Sequence, residues 1–273
     1  MSECFRNKWI LNDTVQDKDS FDTYYQVKRG IALYEVIRII SGKSLFLEDH
    51  LERLSHTADL AKLKIALLPL EIAARINKLI QVNGISEGNI KLVINFTGNE
   101  QNFIAFFIRH NYPSEEEYRK GIEVISFHGM RQNPNAKIID WKFRESVNKA
   151  IKENHAYEAL LVNQDGAITE GSRSNVFFIE GEKVFTPPLK EVLPGVTRRQ
   201  VISICNELSI PFEEKEIKAS DIENIDAMFI SGTSPKILPV SLVDGKPFST
   251  DNPVLKRLME AYNKKIENYI LHH

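Results

Sequence analysis

Two hydrophobic periods take turns along the chain. The run IALYEVIRII at 31–40 is rich in β-branched and aromatic residues and predicts a strand. The period then lengthens: Leu47, Leu51, Leu54 and Ala58 share one helical face, predicting a helix over 46–60. Glu48 and Asp49 fall in its first turn, where acidic side chains suit the helix dipole. A second helix is predicted over 70–81, with Ile72, Ile76, Leu79 and Ile80 aligned and a stop at Asn83-Gly84. Strands are expected at 90–96 and 103–108 around the turn Thr97-Gly98-Asn99, and a short first strand at 9–13.

Past this point the pattern breaks. Residues 110–120 hold Pro113, Ser114 and a run of glutamates, and read as a linker. A strand at 122–127 opens a second region. Irregular chain around Asn133-Pro134-Asn135 and a helix at 144–155 follow. Two apolar runs, 159–162 and 175–179, flank a turn-rich centre containing Gln164-Asp165-Gly166. A helix follows near 201–208, then strands at 212–217, 227–230 and 237–243, a short helix at 221–224 capped by Ser220, and an amphipathic helix at 252–270. Strands and helices mix without strict alternation, so the expected class is α+β with mixed or antiparallel sheets. The expected domains are 1–112 and 121–273, joined by 113–120.

Composition changes little. The 273 residues are 42% hydrophobic and 26% charged, ordinary for a globular protein. A net charge of −2 provides no general basic surface for nucleic acid. Two cysteines, Cys4 and Cys205, lack metal-ligand spacing and point to a reduced cytoplasm. No metal site, secretory core or run of membrane-spanning length is expected.

Several residues stand out as candidate chemistry. Glu170 lies between Ile168 and the apolar run through Val176, Phe177 and Phe178. It is either a solvated turn carboxylate or a partly buried one that needs a partner, such as a protonated pyridine nitrogen. Lys137 sits where the irregular segment meets Ile138-Ile139. Desolvation there disfavours its ammonium form and favours imine formation with an aldehyde; Lys142 and Lys149 are rivals. His50 and Arg53, three apart, share a helical face as either a surface charge cluster with Glu48, Asp49 and Glu52 or a guanidinium fork for phosphate. Gly195-Val196-Thr197 and Gly232-Thr233-Ser234 each offer backbone N–H groups and hydroxyls to an anion, with Thr197 where a helix should begin. Strand alternation puts Tyr34, Val36 and Arg38 on one face, lining either a pocket or an ordinary sheet edge.

Together these residues carry a resemblance. The segments LYEVIRIISGKSLFLEDHLERL (33–54), YEALLVNQDGAITEGSRSNVFFI (157–179), FTPPLKEVLPGVTR (185–198) and FISGTSPKILPV (229–240) resemble the class-IV, or fold-type IV, aminotransferases. That family uses pyridoxal 5′-phosphate and includes branched-chain and D-amino-acid aminotransferases and aminodeoxychorismate lyase. The resemblance implies a small α/β sandwich and a larger mixed-sheet pseudo-barrel with flanking helices, the cofactor between them. It implies that Arg53, Val196, Thr197, Gly232 and Thr233 hold the cofactor phosphate and that Glu170 pairs with the ring nitrogen. Lys137, 33 residues before Glu170, has the family's spacing for the cofactor-bonding lysine; Lys142, 28 before, is too close.

There are departures. Asp140 stands where many members have Asn three residues after the lysine. The Gly-Asp-Gly turn common before the Phe/Tyr-Glu strand is replaced by Lys28-Arg29-Gly30-Ile31-Ala32-Leu33. NFTGNEQNFIAFF (95–107) lacks the Arg-x-His pair that holds a substrate carboxylate in D-amino-acid enzymes. Arg38 and Arg173 are the substitutes, and Tyr34 and Val36 the other substrate-facing candidates. The implied function is amino transfer from a small amino acid to a 2-oxo acid, with aminodeoxychorismate lyase chemistry as the alternative, in a homodimer.

Overall fold

The computed structural model describes residues 2–273. The chain divides into two compact units. The first takes residues up to Asn111 together with Ala136–Ile139 and Ile266–His273; the second takes Tyr112–Asn135 and Asp140–Lys265.

In the first unit, β1 (Lys8–Leu11), β2 (Thr14–Asp17), β3 (Ile31–Ile40), β4 (Lys43–Ser44), β5 (Gly88–Thr97) and β6 (Glu100–Ile108) form one sheet in the order β2-β1-β6-β5-β3-β4. All its pairings are antiparallel. Helices α1 (Leu47–Leu60) and α2 (Pro69–Asn83) supply the layer on one face. Alternation explains the packing: Leu33, Ile37 and Ile39 of β3 join Ile90, Leu92 and Ile94 of β5, and Leu54, Ile72, Ile76 and Leu79 close the core from the helices. Glu35 belongs to that same strand face. On the opposite face Phe21 packs against Trp9 and Phe106.

The second unit begins with α3 (Glu115–Lys120), inside the stretch read as a linker. Ser114 and Glu117 close a reciprocal capping box there. Then come β7 (Ile122–His128), α4 (Trp141–Glu153), β8 (Glu158–Val162), β9 (Ala167–Gly171), β10 (Asn175–Glu180), β11 (Lys183–Thr186), α5 (Val196–Glu207), β12 (Phe212–Glu214), β13 (Ile217–Lys218), β14 (Ala227–Gly232), β15 (Lys236–Val243), β16 (Lys246–Pro247) and α6 (Pro253–His272), whose last turns belong to the first unit. The strands make one curled half-barrel sheet in the order β12-β11-β10-β14-β15-β7-β8-β9-β13, with β16 on β15. It is mixed: β7 runs parallel to both β15 and β8, and β11 parallel to β12. Val124, Leu160, Ile168, Phe178 and Ile230 are among its core residues.

The mixed α+β class is as expected, and β3 keeps its predicted bounds. The turn-rich centre at 163–174 is shorter than expected. The turn closes by Gly166, with Gly166 N donating to the Asn163 carbonyl, and β9 follows with all five residues buried. Glu170 is therefore a strand residue.

Candidate active site

In the first unit the site starts from the strand face that β3 turns toward α1. Glu35, fully buried between Leu33 and Ile37, meets His50 and Arg53 of α1. Arg53 donates from Nε to Glu35 Oε1 at 2.8 Å and from Nη2 to Oε2 at 2.5 Å, a bidentate fork. His50 Nδ1 lies 2.7 Å from Glu35 Oε2. His50 and Arg53 are buried, so they are not a surface cluster. Burial alone would raise the Glu35 pKa; the Arg53 charge and the Arg53 and His50 hydrogen bonds outweigh it and hold the carboxyl at about 2. His50 is pushed below its ordinary value, by burial first, then by the Arg53 and Lys137 charges against the opposing pull of Glu35. A neutral His50 facing a carboxylate donates from Nδ1.

Lys137 belongs to this unit through backbone pairing. Tyr34 N donates to the Lys137 carbonyl at 3.1 Å, Ile139 N to the Ala32 carbonyl at 3.3 Å, and Ile138 bridges Leu33. Lys137 N donates to Thr57 Oγ1 at 3.3 Å, one helical turn beyond Arg53. Its ammonium lies 4.6 Å from the Tyr34 ring centroid. The rivals stand elsewhere: Lys142 and Lys149 are exposed on α4, and Lys149 pairs with Glu153. Val36 and Arg38 share the Tyr34 face of β3, opposite Lys91 and Asn89 of β5. Lys91 is buried, 5.5 Å from the Tyr34 ring centroid and 2.7 Å from a Glu3 carboxylate oxygen.

The second unit holds the other candidates. Glu170 is buried on β9. Its Oε1 accepts from Arg131 Nε at 3.0 Å and its Oε2 from Leu193 N at 3.0 Å. Arg131 also donates to the Pro134 carbonyl. Asn175 Nδ2 donates to the Leu193 carbonyl at 2.9 Å, so the segment entering α5 is tied to both β9 and β10. Val196 and Thr197 form the buried first turn of α5 after Gly195. A Cβ on Gly195 would stand 2.0 Å from Asn175 Oδ1, so a side chain there would have to displace the Asn175 amide that holds Leu193. Gly232 ends β14, with Thr233 in the turn before Lys236. Arg173 is exposed and donates to Asn148 Oδ1 of α4.

The structure brings Lys137 against Tyr34 and beside α1, the helix that carries Arg53, in one unit, and Glu170 and the turn before Val196 together in the other. It adds Glu35, Arg131 and Lys91, which the sequence reading missed. Glu35 had a signal, a carboxylate on the inward phase of an apolar strand. Arg131, in an irregular loop, had none.

Each unit's donors suit a part of a phosphorylated pyridine aldehyde. The first unit holds a lysine against an aromatic ring and an arginine locked by its own carboxylate; the second holds a buried carboxylate of the kind that pairs with a pyridinium N–H and a helix start crowded at Gly195. The family model for class-IV amino-transferases matches residues 32–243, most of the chain. The protein belongs to the class-IV aminotransferase family. It is an enzyme of that family, and the family's cofactor is pyridoxal 5′-phosphate. The chain is 27% identical over 262 residues to a D-alanine aminotransferase from Bacillus licheniformis, covering 91% of each. It superposes on a branched-chain amino acid aminotransferase from Escherichia coli at a TM-score of 0.82 and 22% identity, covering 96% of this chain and 95% of that one. A putative 4-amino-4-deoxychorismate lyase from Legionella pneumophila gives 0.78 and 23%, covering 89% and 93%.

Proposed function

We propose that this class-IV enzyme transfers an amino group from a small amino acid to a 2-oxo acid. The observation that carries the reading is that one unit holds both Lys137 against Tyr34 and the Glu35-locked Arg53, together with the end-to-end likeness to a D-alanine aminotransferase. Pyridoxal 5′-phosphate, when bound, supplies the aldehyde carbon and an electron-accepting ring.

The chain's own residues do the rest. Arg53 binds the phosphate, and Glu35, which takes Nε and Nη2, fixes the plane of its guanidinium. Backbone N–H groups and hydroxyls at Val196, Thr197, Gly232 and Thr233 complete the phosphate seat. Glu170 holds the proton on the ring nitrogen, and Arg131 holds Glu170. Lys137 is the residue that would hold the cofactor's aldehyde carbon, and its amine, when free, would be the base that moves a substrate α-proton. Arg38 and Lys91, on the Tyr34 face of β3 and β5, take the substrate carboxylate, and Tyr34 and Val36 line the approach. Arg173, directed at Asn148, is the weaker candidate for that task.

A second reading, lyase action on aminodeoxychorismate giving 4-aminobenzoate and pyruvate, rests on the missing Arg-x-His pair in β5 and β6. Product analysis separates the two: amino transfer consumes a 2-oxo acid acceptor, and elimination needs none. The buried thiols of Cys4 and Cys205 suit a reducing compartment such as the cytoplasm, and the assembly we propose is a homodimer.

A further inference from the structure

Glu158 opens β8 and is 4% exposed. Its carboxylate accepts four hydrogen bonds, all from neutral donors. Oε1 accepts from Ser172 Oγ at 2.6 Å and from Ala159 N at 2.9 Å. Oε2 accepts from Arg173 N and Ser174 Oγ, each at 3.1 Å. A carboxylate is buried at high cost unless its lone pairs are met. Here three of the four donors come from the turn at 172–174.

That turn touches both ends of the cofactor seat in the second unit. On one side it follows Glu170 and Gly171 directly, and Ser172 N donates to the Ala159 carbonyl at 2.8 Å. The fit is tight: a Cβ on Gly171 would stand 2.1 Å from Ser174 Oγ. On the other side, the Arg173 carbonyl lies 3.6 Å from where a Cβ on Gly232 would be. Asn175, next along, holds the Leu193 carbonyl, while Leu193 N holds Glu170. A shift of the turn therefore moves Glu170, the Gly232 turn, or both.

We propose that Glu158 is a positioning residue for the cofactor. It fixes the 172–174 turn so that the Glu170 carboxylate and the Gly232-Thr233 turn stand at one span, the span from ring nitrogen to phosphate. The inference rests on the roles proposed above for Glu170 and for the Gly232-Thr233 turn. It also explains why the residue is a carboxylate and not an amide. Each oxygen accepts from a backbone N–H, Ala159 on Oε1 and Arg173 on Oε2, and neither donor can reverse. A glutamine of the same shape sets its NH2 against one of them in either orientation.

The test is Glu158→Gln in the full chain, beside wild type. Three quantities are read: melting without cofactor, the dissociation constant for pyridoxal 5′-phosphate by absorbance, and the pH at which the bound-cofactor band changes. One misdirected donor pair is expected to weaken cofactor binding by about tenfold and to displace the band's pH midpoint. A residue that only stabilised the fold would lower the melting point and leave the other two at wild-type values. That pattern overturns the inference. If Glu158→Gln does not fold, Ser172→Ala/Ser174→Ala removes two donors and keeps the acid; weaker cofactor binding supports the inference and wild-type binding overturns it. A wild-type protein that binds no cofactor overturns the functional reading itself, whereas a binding wild type with an indistinguishable Glu158→Gln overturns this inference alone.

Discussion

Replacing Glu35 with glutamine probes the most deeply buried charge cluster in the first unit. The change keeps the shape and removes the charge that faces Arg53 and His50. Breaking a buried ion pair from one side costs roughly 3–5 kcal/mol, because the remaining charge is stranded. Glutamine still offers one carbonyl, so the expected loss lies near ~3 kcal/mol. At roughly 2–4 °C per kcal/mol, the melting point should fall by roughly 6–12 °C. The pH dependence carries the sharper signature. Glu35 sits at about 2 in the fold against an ordinary 4.5, a depressed carboxyl. Its contribution is therefore full above 4.5 and is lost as pH falls from 4.5 toward 2. His50, also lowered, acts in the same direction at higher pH: the unfolded chain takes up a proton below about 6.5 that the folded chain refuses. Melting curves of cofactor-free wild type and Glu35→Gln between pH 7 and pH 3 provide the assay. The gap between the two should be constant above pH 5 and shrink below it. A gap under a degree at pH 7, or one that stays constant down to pH 3, refutes the assignment of Glu35 as the ionised partner of Arg53.

Other changes have equally definite outcomes. Lys137→Ala should abolish the borohydride-reducible bond to the cofactor and lower turnover by at least about a thousandfold, whereas Lys142→Ala should leave both near wild type, as quench-and-digest mass mapping would show. Arg131→Met leaves Glu170 without its cation and should slow the amino-group half-reaction by about ten- to a hundredfold, measured by stopped-flow absorbance, with a smaller effect on melting. Gly195→Ala drives a methyl into Asn175 Oδ1, so it should weaken cofactor binding and lower stability by about 2 kcal/mol, read by denaturant titration.

The elements legible in the sequence were those whose reasons are local. The β3 strand is ten residues of β-branched and aromatic chain, and its alternation correctly put Tyr34, Val36 and Arg38 on one face. Helices α1 and α2 announced themselves by period. The α3 helix was hidden by its composition, although the Ser114-x-x-Glu117 spacing held the signal. Strand β9 was hidden because Ala167, Thr169 and Gly171 are small or polar residues buried by strands on either side, a tertiary effect. The site shows the same division. The spacing of His50 and Arg53 foretold a shared face, while their partner lay 18 residues before Arg53 on another element. The placement of Lys137 depends on pairing with β3 and with Thr57, 80 residues away, and the Arg131–Glu170 contact spans 39. No local pattern carries contacts of that range.

Product analysis of the purified, cofactor-loaded protein tests the proposed activity most directly. Each of a panel of D- and L-amino acids is offered with 2-oxoglutarate, and aminodeoxychorismate is offered without an acceptor. Amino transfer predicts a new 2-oxo acid formed in step with consumption of 2-oxoglutarate, and its loss in Lys137→Ala. Pyruvate and 4-aminobenzoate released from aminodeoxychorismate, with no amino acid supporting transfer, would contradict it.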